Sequence, residues 1–426
     1  MFKAIDKWFP GYLRSVLSRP RVAQGTRHLI FCVCDHFEPF RGESDAEVAR
    51  QTVRDWLAAY PGAVDSFRDA DGHLPRHTFF YPQEEYDAAI FDDLAAFCCK
   101  GYGEVEIHLH HRHDTPEGLR EKLVTFRDLL HERHGLLGEA VDHRPQIIDH
   151  RPQASGLRED QNASPSLGSK VEGRRSMVSS PSRTRYAFIH GNWALCNSRP
   201  DGDWCGVNEE LGILAETGCY ADFTFPSAPS PTQPRMVNAI YYAHDTPGHP
   251  RAADRGTRVK TTDHRLQTTD LNAGSASLKS EVCGLRSVVC NLLLLTGPLA
   301  LNWRRRKWGI FPRLENAEIS GANPPTVDRI RLWARQQIHV RGRPDWVFVK
   351  VHTHGCVPAN QAVLLGQEMR QAHAVLLQEF NDGKNWQLHY VTAREMANLV
   401  KAAEADMPGA PGLYRDYQVG PPSFGC

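Results

Sequence analysis

Eight short apolar runs, separated by stretches with helical spacing, constrain the fold of this chain more than any other feature. They are HLIFCVCD (His28 to Asp35), HTFFYP (His77 to Pro82), EVEIHLHH (Glu104 to His111), YAFIHG (Tyr186 to Gly191), YADFTF (Tyr220 to Phe225), NAIYYA (Asn238 to Ala243), LLLLTGPLAL (Leu292 to Leu301) and WVFVKVHTH (Trp346 to His354). Each reads as a strand. Ser44 with Glu47 and Thr392 with Glu395 match the S/T-x-x-E capping box, and Thr115 before Pro116 gives an N-cap with proline at the first helical position. Strand followed by helix, repeated, predicts an α/β fold with a mostly parallel sheet. Active sites in such folds lie at the C-terminal ends of the strands, where the polar residues of this chain gather.

The 426 residues exceed one typical domain, but a single α/β barrel with insertions spanning 1–426 accommodates them. Two stretches, about 142–184 and 251–286, are rich in Ser, Arg, Gln and Gly and read as low-complexity surface insertions. They echo each other: DHRPQ at Asp149 and DHRLQ at Asp263, SPSLGSKVEGRRS at Ser164 and SASLKSEVCGLRS at Ser275. Fifty Lys and Arg against fifty Asp and Glu leave no net charge, which argues against a nucleic-acid partner. No secretory signal is read at the N-terminus, and Asn291 to Leu301 is too short to span a bilayer. A cytoplasmic protein without a membrane span is expected. Eleven cysteines without a CxxC module favour reduced, buried thiols over a disulfide framework or thiolate zinc. Nothing in the sequence sets the oligomeric state.

Twenty-one histidines direct the search for chemistry, since imidazole is the commonest metal ligand. In EVEIHLHH, Val105, Ile107 and Leu109 point one way, and Glu106, His108 and His110 the other. Polar groups on the covered face of a parallel sheet need partners, and a divalent metal supplies one. The alternative is a hydrogen-bonded histidine pair with a solvated turn at His111, Arg112, His113 and Asp114. CVCDHFEPF places Asp35, His36 and Glu38 at the first strand's end. Asp35 and His36 fall on opposite sides of an ideal strand, but a strand end can turn both toward one site, where the pair divides metal holding from deprotonation of water. The alternative is a capped turn before the Ser44 helix. WVFVKVHTHG repeats the alternation, with Lys350, His352 and His354 on one side. Asn192 and Trp193 in HGNW, and Asp222 beside Phe223 and Phe225, read as walls suited to a sugar ring. WRRRKW (Trp303 to Trp308) reads as a solvated turn.

In this order the motifs resemble the polysaccharide deacetylase (NodB-homology) superfamily, metal-dependent enzymes on a distorted (β/α)7-type barrel. VCDHFEP is similar to that family's TFDDGP, HLHHRHD to its two-histidine strand end, and VFVKVHTH to its final strand running to His. The likeness implies Asp35 as base, His36 with two of His108, His110 and His111 as ligands to a divalent metal such as Zn2+, and His352 or His354 as the acid. His36 stands where the family has Asp. The expected function is removal of an acyl group from an amino sugar or polysaccharide precursor, with Asn192, Trp193 and Asp222 contacting the carbohydrate. Two rivals are a glycoside hydrolase using Asp35 with Asp222 or Glu38, and a non-catalytic carbohydrate-binding protein of a polysaccharide assembly system.

Overall fold

A computed structural model describes residues 4–20, 25–142, 182–262 and 291–424. In chain order the first elements are α1 (Ile5–Leu17), β1 (Arg27–His36), α2 (Ala46–Val64), β2 (His77–Pro82), α3 (Ala88–Cys99), β3 (Gly103–Leu109), α4 (Pro116–His134), β4 (Tyr186–His190), α5 (Glu210–Glu216) and β5 (Cys219–Asp222). There follow β6 (Ile240–His244), β7 (Gly256–Arg258), β8 (Asn291–Leu295), β9 (Ala300–Lys307), β10 (Phe311–Glu315), α6 (Val327–Arg335), β11 (Trp346–Thr353), α7 (Pro358–Leu364), α8 (Gln367–Phe380), β12 (Trp386–Tyr390) and α9 (Ala393–Glu404). Thr115 and Thr392 cap α4 and α9 as their sequences predict. At α2 the cap is Asp45 rather than Ser44, its carboxylate accepting from the Glu47 and Val48 amides. A carboxylate there also favours the positive end of the helix.

Ten strands form one sheet in the order β11-β1-β2-β3-β4-β5-β8-β6-β7, with β12 also paired to β1. The pairs from β11 to β8 are parallel, and those of β6 with β8 and β7 are antiparallel. No ladder joins β11 to β7 among the described residues. The sheet is nonetheless strongly curled: Lys350 Nζ on β11 donates to Phe225 O at 2.9 Å and to Phe223 O, just beyond β5. The run LLLLTGPLAL, expected as one strand, is split between β8 and β9 at Gly297 and Pro298, because proline has no N–H to give a ladder. WRRRKW is not a simple turn; it lies mostly within β9, whose Arg306 and Lys307 pair with β10, and Trp303 and Trp308 are exposed.

The convex face of the sheet packs against helices. Val105, Ile107 and Leu109 join Trp56, Phe91, Leu94, Leu123 and Phe126 from α2, α3 and α4. Leu29, Phe31, Val347, Val349 and Val351 meet α6, α7 and α8 through Trp333, Val363 and Leu376. The concave face is filled toward one end by α9, whose residues Ala393 to Val400 are all buried. A helix enclosed on all sides must pair its charges. Arg394 meets Glu104 at 2.7 Å, and Glu395 meets Arg415 at 3.1 Å. The opposite, C-terminal end of the concave face carries the histidines.

The echoed repeats lie outside the described residues, with most of both expected insertions. Within 251–262, however, Ala252 and Ala253 are buried in the core and β7 extends the sheet. Seven described cysteines are thiols outside any disulfide. Cys99, half-buried at the outer end of α3, is disulfide-bonded, which corrects the reading of reduced thiols at that residue. Among the described residues, no helix is long and apolar enough to cross a membrane.

Candidate functional site

Strand alternation sends Asp35 and His36 to opposite faces of β1. His36 faces the concave side, with its ring centroid 4.7 Å from that of His354, 5.0 Å from His108 and 6.4 Å from His352. These rings come from β1, β3 and β11, whose register in the curled sheet brings their C-terminal ends together. Asp35 instead enters the helix-covered layer. Its Oδ2 lies 2.8 Å from His77 Nε2, and its Oδ1 accepts from Gly355 N at 2.5 Å. Asp35 is therefore not brought to the cavity; it fixes the turn after His354, where a Cβ on Gly355 would overlap its carboxylate.

Eight residues line a cavity of about 210 Å³: His36, Glu38, Arg41, Glu85, His110, Asn192, Trp193 and His354. His36, Glu38 and His108 have donor atoms within 4.8 Å of one another. The protonation pattern of this group is informative. His108 Nδ1 donates to Ile189 O at 2.8 Å, which leaves its Nε2 facing Glu38 Oε1, 3.2 Å away. A lone pair facing a carboxylate needs a proton or a cation between them. A backbone carbonyl accepting from the distal ring nitrogen is also how ligating histidines are held. The donor set therefore fits a divalent cation.

Electrostatics support the same division of labour. Burial opposes ionisation of Glu38, yet the hydrogen bond and charge of His108, with His354 and His110, bring its carboxyl down to about 2. Glu38 Oε2 is also held by Arg41 at 3.0 Å. His36 and His354 are lowered chiefly by burial and, for His36, by the neighbouring imidazoles, which keeps His36 neutral and able to donate a lone pair. Burial raises Glu85 to about 7, although the Phe40 amide donates to it at 2.9 Å.

Further residues complete the walls. His110 stands between Glu84, 2.5 Å from Nδ1, and Glu38, 3.6 Å from Nε2. A Cβ on Gly191 would overlap the His110 ring, so only glycine allows β4 to end this close to it. Asn192 and Trp193 both have φ of 54°, a left-handed conformation uncommon for non-glycine residues and concentrated at functional sites.

Other expected site residues lie elsewhere. His352 is buried behind His354 and does not line the cavity; its Nδ1 has no hydrogen-bond partner among the described residues. Asp222 is held by the Thr224 amide and hydroxyl at 3.1 and 2.7 Å, and is also not in the cavity wall. His111 turns away from His108 and His110 into a separate, closed cluster with His190, Cys205 and Glu210. Sequence reasoning missed Arg41, Glu84 and Glu85. The pair Glu84-Glu85 directly follows the β2 run, a strand-end signal of the kind used elsewhere in the chain. No protein-family model matches the chain, and no curated protein or solved structure was found to be similar to it.

Proposed function

We propose that this protein is a metal-dependent hydrolase, on a distorted (β/α)7-type barrel, that removes an acyl group from the nitrogen of an amino sugar or polysaccharide precursor. One observation carries the reading: His36, Glu38 and His108 converge at the C-terminal strand ends, beside a cavity walled by Trp193 and Asn192. A divalent cation of the zinc class, held by these three residues, would polarise the acyl carbonyl and lower the pKa of water. Glu85, in the same cavity and titrating near neutrality, takes the proton from the attacking water, the role the sequence suggested for Asp35. His354, rather than the enclosed His352, delivers a proton to the departing amine. Trp193 offers a flat apolar surface to a sugar ring, and Asn192 and Arg41 hydrogen-bond its substituents. The test is acetate release from an N-acetylated oligosaccharide by the metal-loaded chain. Acetate without chain shortening supports the reading, and shortening without acetate overturns it.

One observation favours a second reading. Glu38 at about 2 and Glu85 at about 7 form a carboxylate pair pushed to opposite protonation states, as in an acid and base pair of a glycoside hydrolase. The two histidines near Glu38 weigh toward the metal, because with its carboxylate they bring three donor atoms within 4.8 Å of one another.

A further inference from the structure

Four residues from four places in the chain meet behind the cavity wall: His111 just after β3, His190 ending β4, Cys205 in the following loop and Glu210 opening α5. All four are buried, and their donor atoms lie within 4.8 Å of one another. His190 Nδ1 donates to Gly191 O, so its Nε2 carries a lone pair; this fully buried atom has no hydrogen-bond partner among the described residues and lies 3.5 Å from Glu210 Oε1. His111 Nδ1 faces Asp114 Oδ2 at 3.3 Å, and its Nε2 lies 3.2 Å from the same Glu210 oxygen. Glu210 Oε2 is occupied by the Cys196 amide at 2.6 Å, leaving Oε1 for the centre. Cys205 Sγ lies 3.4 Å from Glu210 Oε2 and accepts from the Val207 amide at 3.4 Å.

A proton on His111 would satisfy one of these contacts but leave the His190 lone pair facing a carboxylate in a sealed interior. A cation at the centre satisfies them all. Zinc with nitrogen or oxygen at about 2.0–2.2 Å and sulfur at about 2.3 Å would set tetrahedral ligand edges of about 3.3–3.6 Å. The 3.2 and 3.5 Å separations of Glu210 Oε1 from His111 Nε2 and His190 Nε2 lie close to that spacing. Asp114 then orients His111, as carboxylates do behind ligating histidines.

We propose that His111, His190, Cys205 and Glu210 form a closed structural zinc site that clamps the loop bearing Asn192 and Trp193 to the end of β3. The inference is independent of the hydrolase reading. It is tested on the full chain loaded with Co2+, by absorption and by metal content. The expected result is a thiolate-to-cobalt charge-transfer band in the near ultraviolet that persists in His108→Ala. Cys205→Ser should lose that band together with one cation per chain. Absence of the band from the wild type, or its survival in Cys205→Ser, overturns the proposal. A measurement that needs no variant is alkylation of Cys205, followed by peptide mapping. Chelation should raise its rate at least tenfold, and an unchanged rate contradicts the site.

Discussion

The cavity group (His36, Glu38 and His108) and the closed group (His111, His190, Cys205 and Glu210) both draw on the end of β3, yet they meet solvent differently. His108 and His111 are three residues apart. In the first group three donors sit beside a cavity of about 210 Å³, which would leave a further position of a bound cation open to water and substrate. In the second, four donors of which one is a thiol surround a centre with no residue in the cavity wall. Open and closed coordination are what separate catalytic from structural metal sites. Under the proposed reading a single turn of the chain would supply one of each, because the strand ends at Leu109 and its alternation ends with it.

The largest effect expected is that of His108→Ala. It removes the only one of the three cavity donors held by a backbone carbonyl, and turnover should fall by more than the roughly 10²–10⁴-fold typical of losing one general base. Equal activity, measured as acetate release, would erase the distinction between the groups. Next, Glu85→Gln should cost at least about 100-fold. The sign for pH follows from the raised carboxyl: Glu85 is protonated below about 7, so activity falls as pH drops through that value, and the variant should lack this limb in a profile of kcat against pH. Gly191→Ala displaces His110, whose Nε2 lies 3.6 Å from the proposed ligand Glu38; a loss of about 10–100-fold, as for partners standing behind a metal ligand, is expected in kcat with secondary structure unchanged by circular dichroism. The smallest effect is that of Trp193→Ala, which should raise KM about 2- to 10-fold with little change in kcat, the range expected for one lost ring contact. A kcat loss instead would place Trp193 in the chemistry.

Much of this arrangement is legible in the sequence where a single strand carries the information. The alternation in EVEIHLHH puts His108 and His110 on one face and Val105, Ile107 and Leu109 in the helix-facing core, as observed. Period-two reasoning also places Asp35 opposite His36, and the structure keeps them apart; the expectation that the strand end turns both toward one site, with Asp35 as base, does not hold. What was not legible depends on chain folding between distant segments. Cys205 belongs to no CxxC spacing, and its companions come from positions 111, 190 and 210, so spacing arguments for thiolate zinc could not find it. Likewise β12 and α9 follow from local patterns only as elements; that α9 occupies the concave face, pairing Arg394 with Glu104 across 290 positions, is a tertiary outcome.

The central claim is that His36, Glu38 and His108 hold one cation in the cavity. Elemental analysis of the purified chain beside His36→Ala tests it most directly. The variant should retain its fold and the closed site's cation while carrying one divalent ion fewer per chain. An identical metal content in the two proteins would contradict the claim.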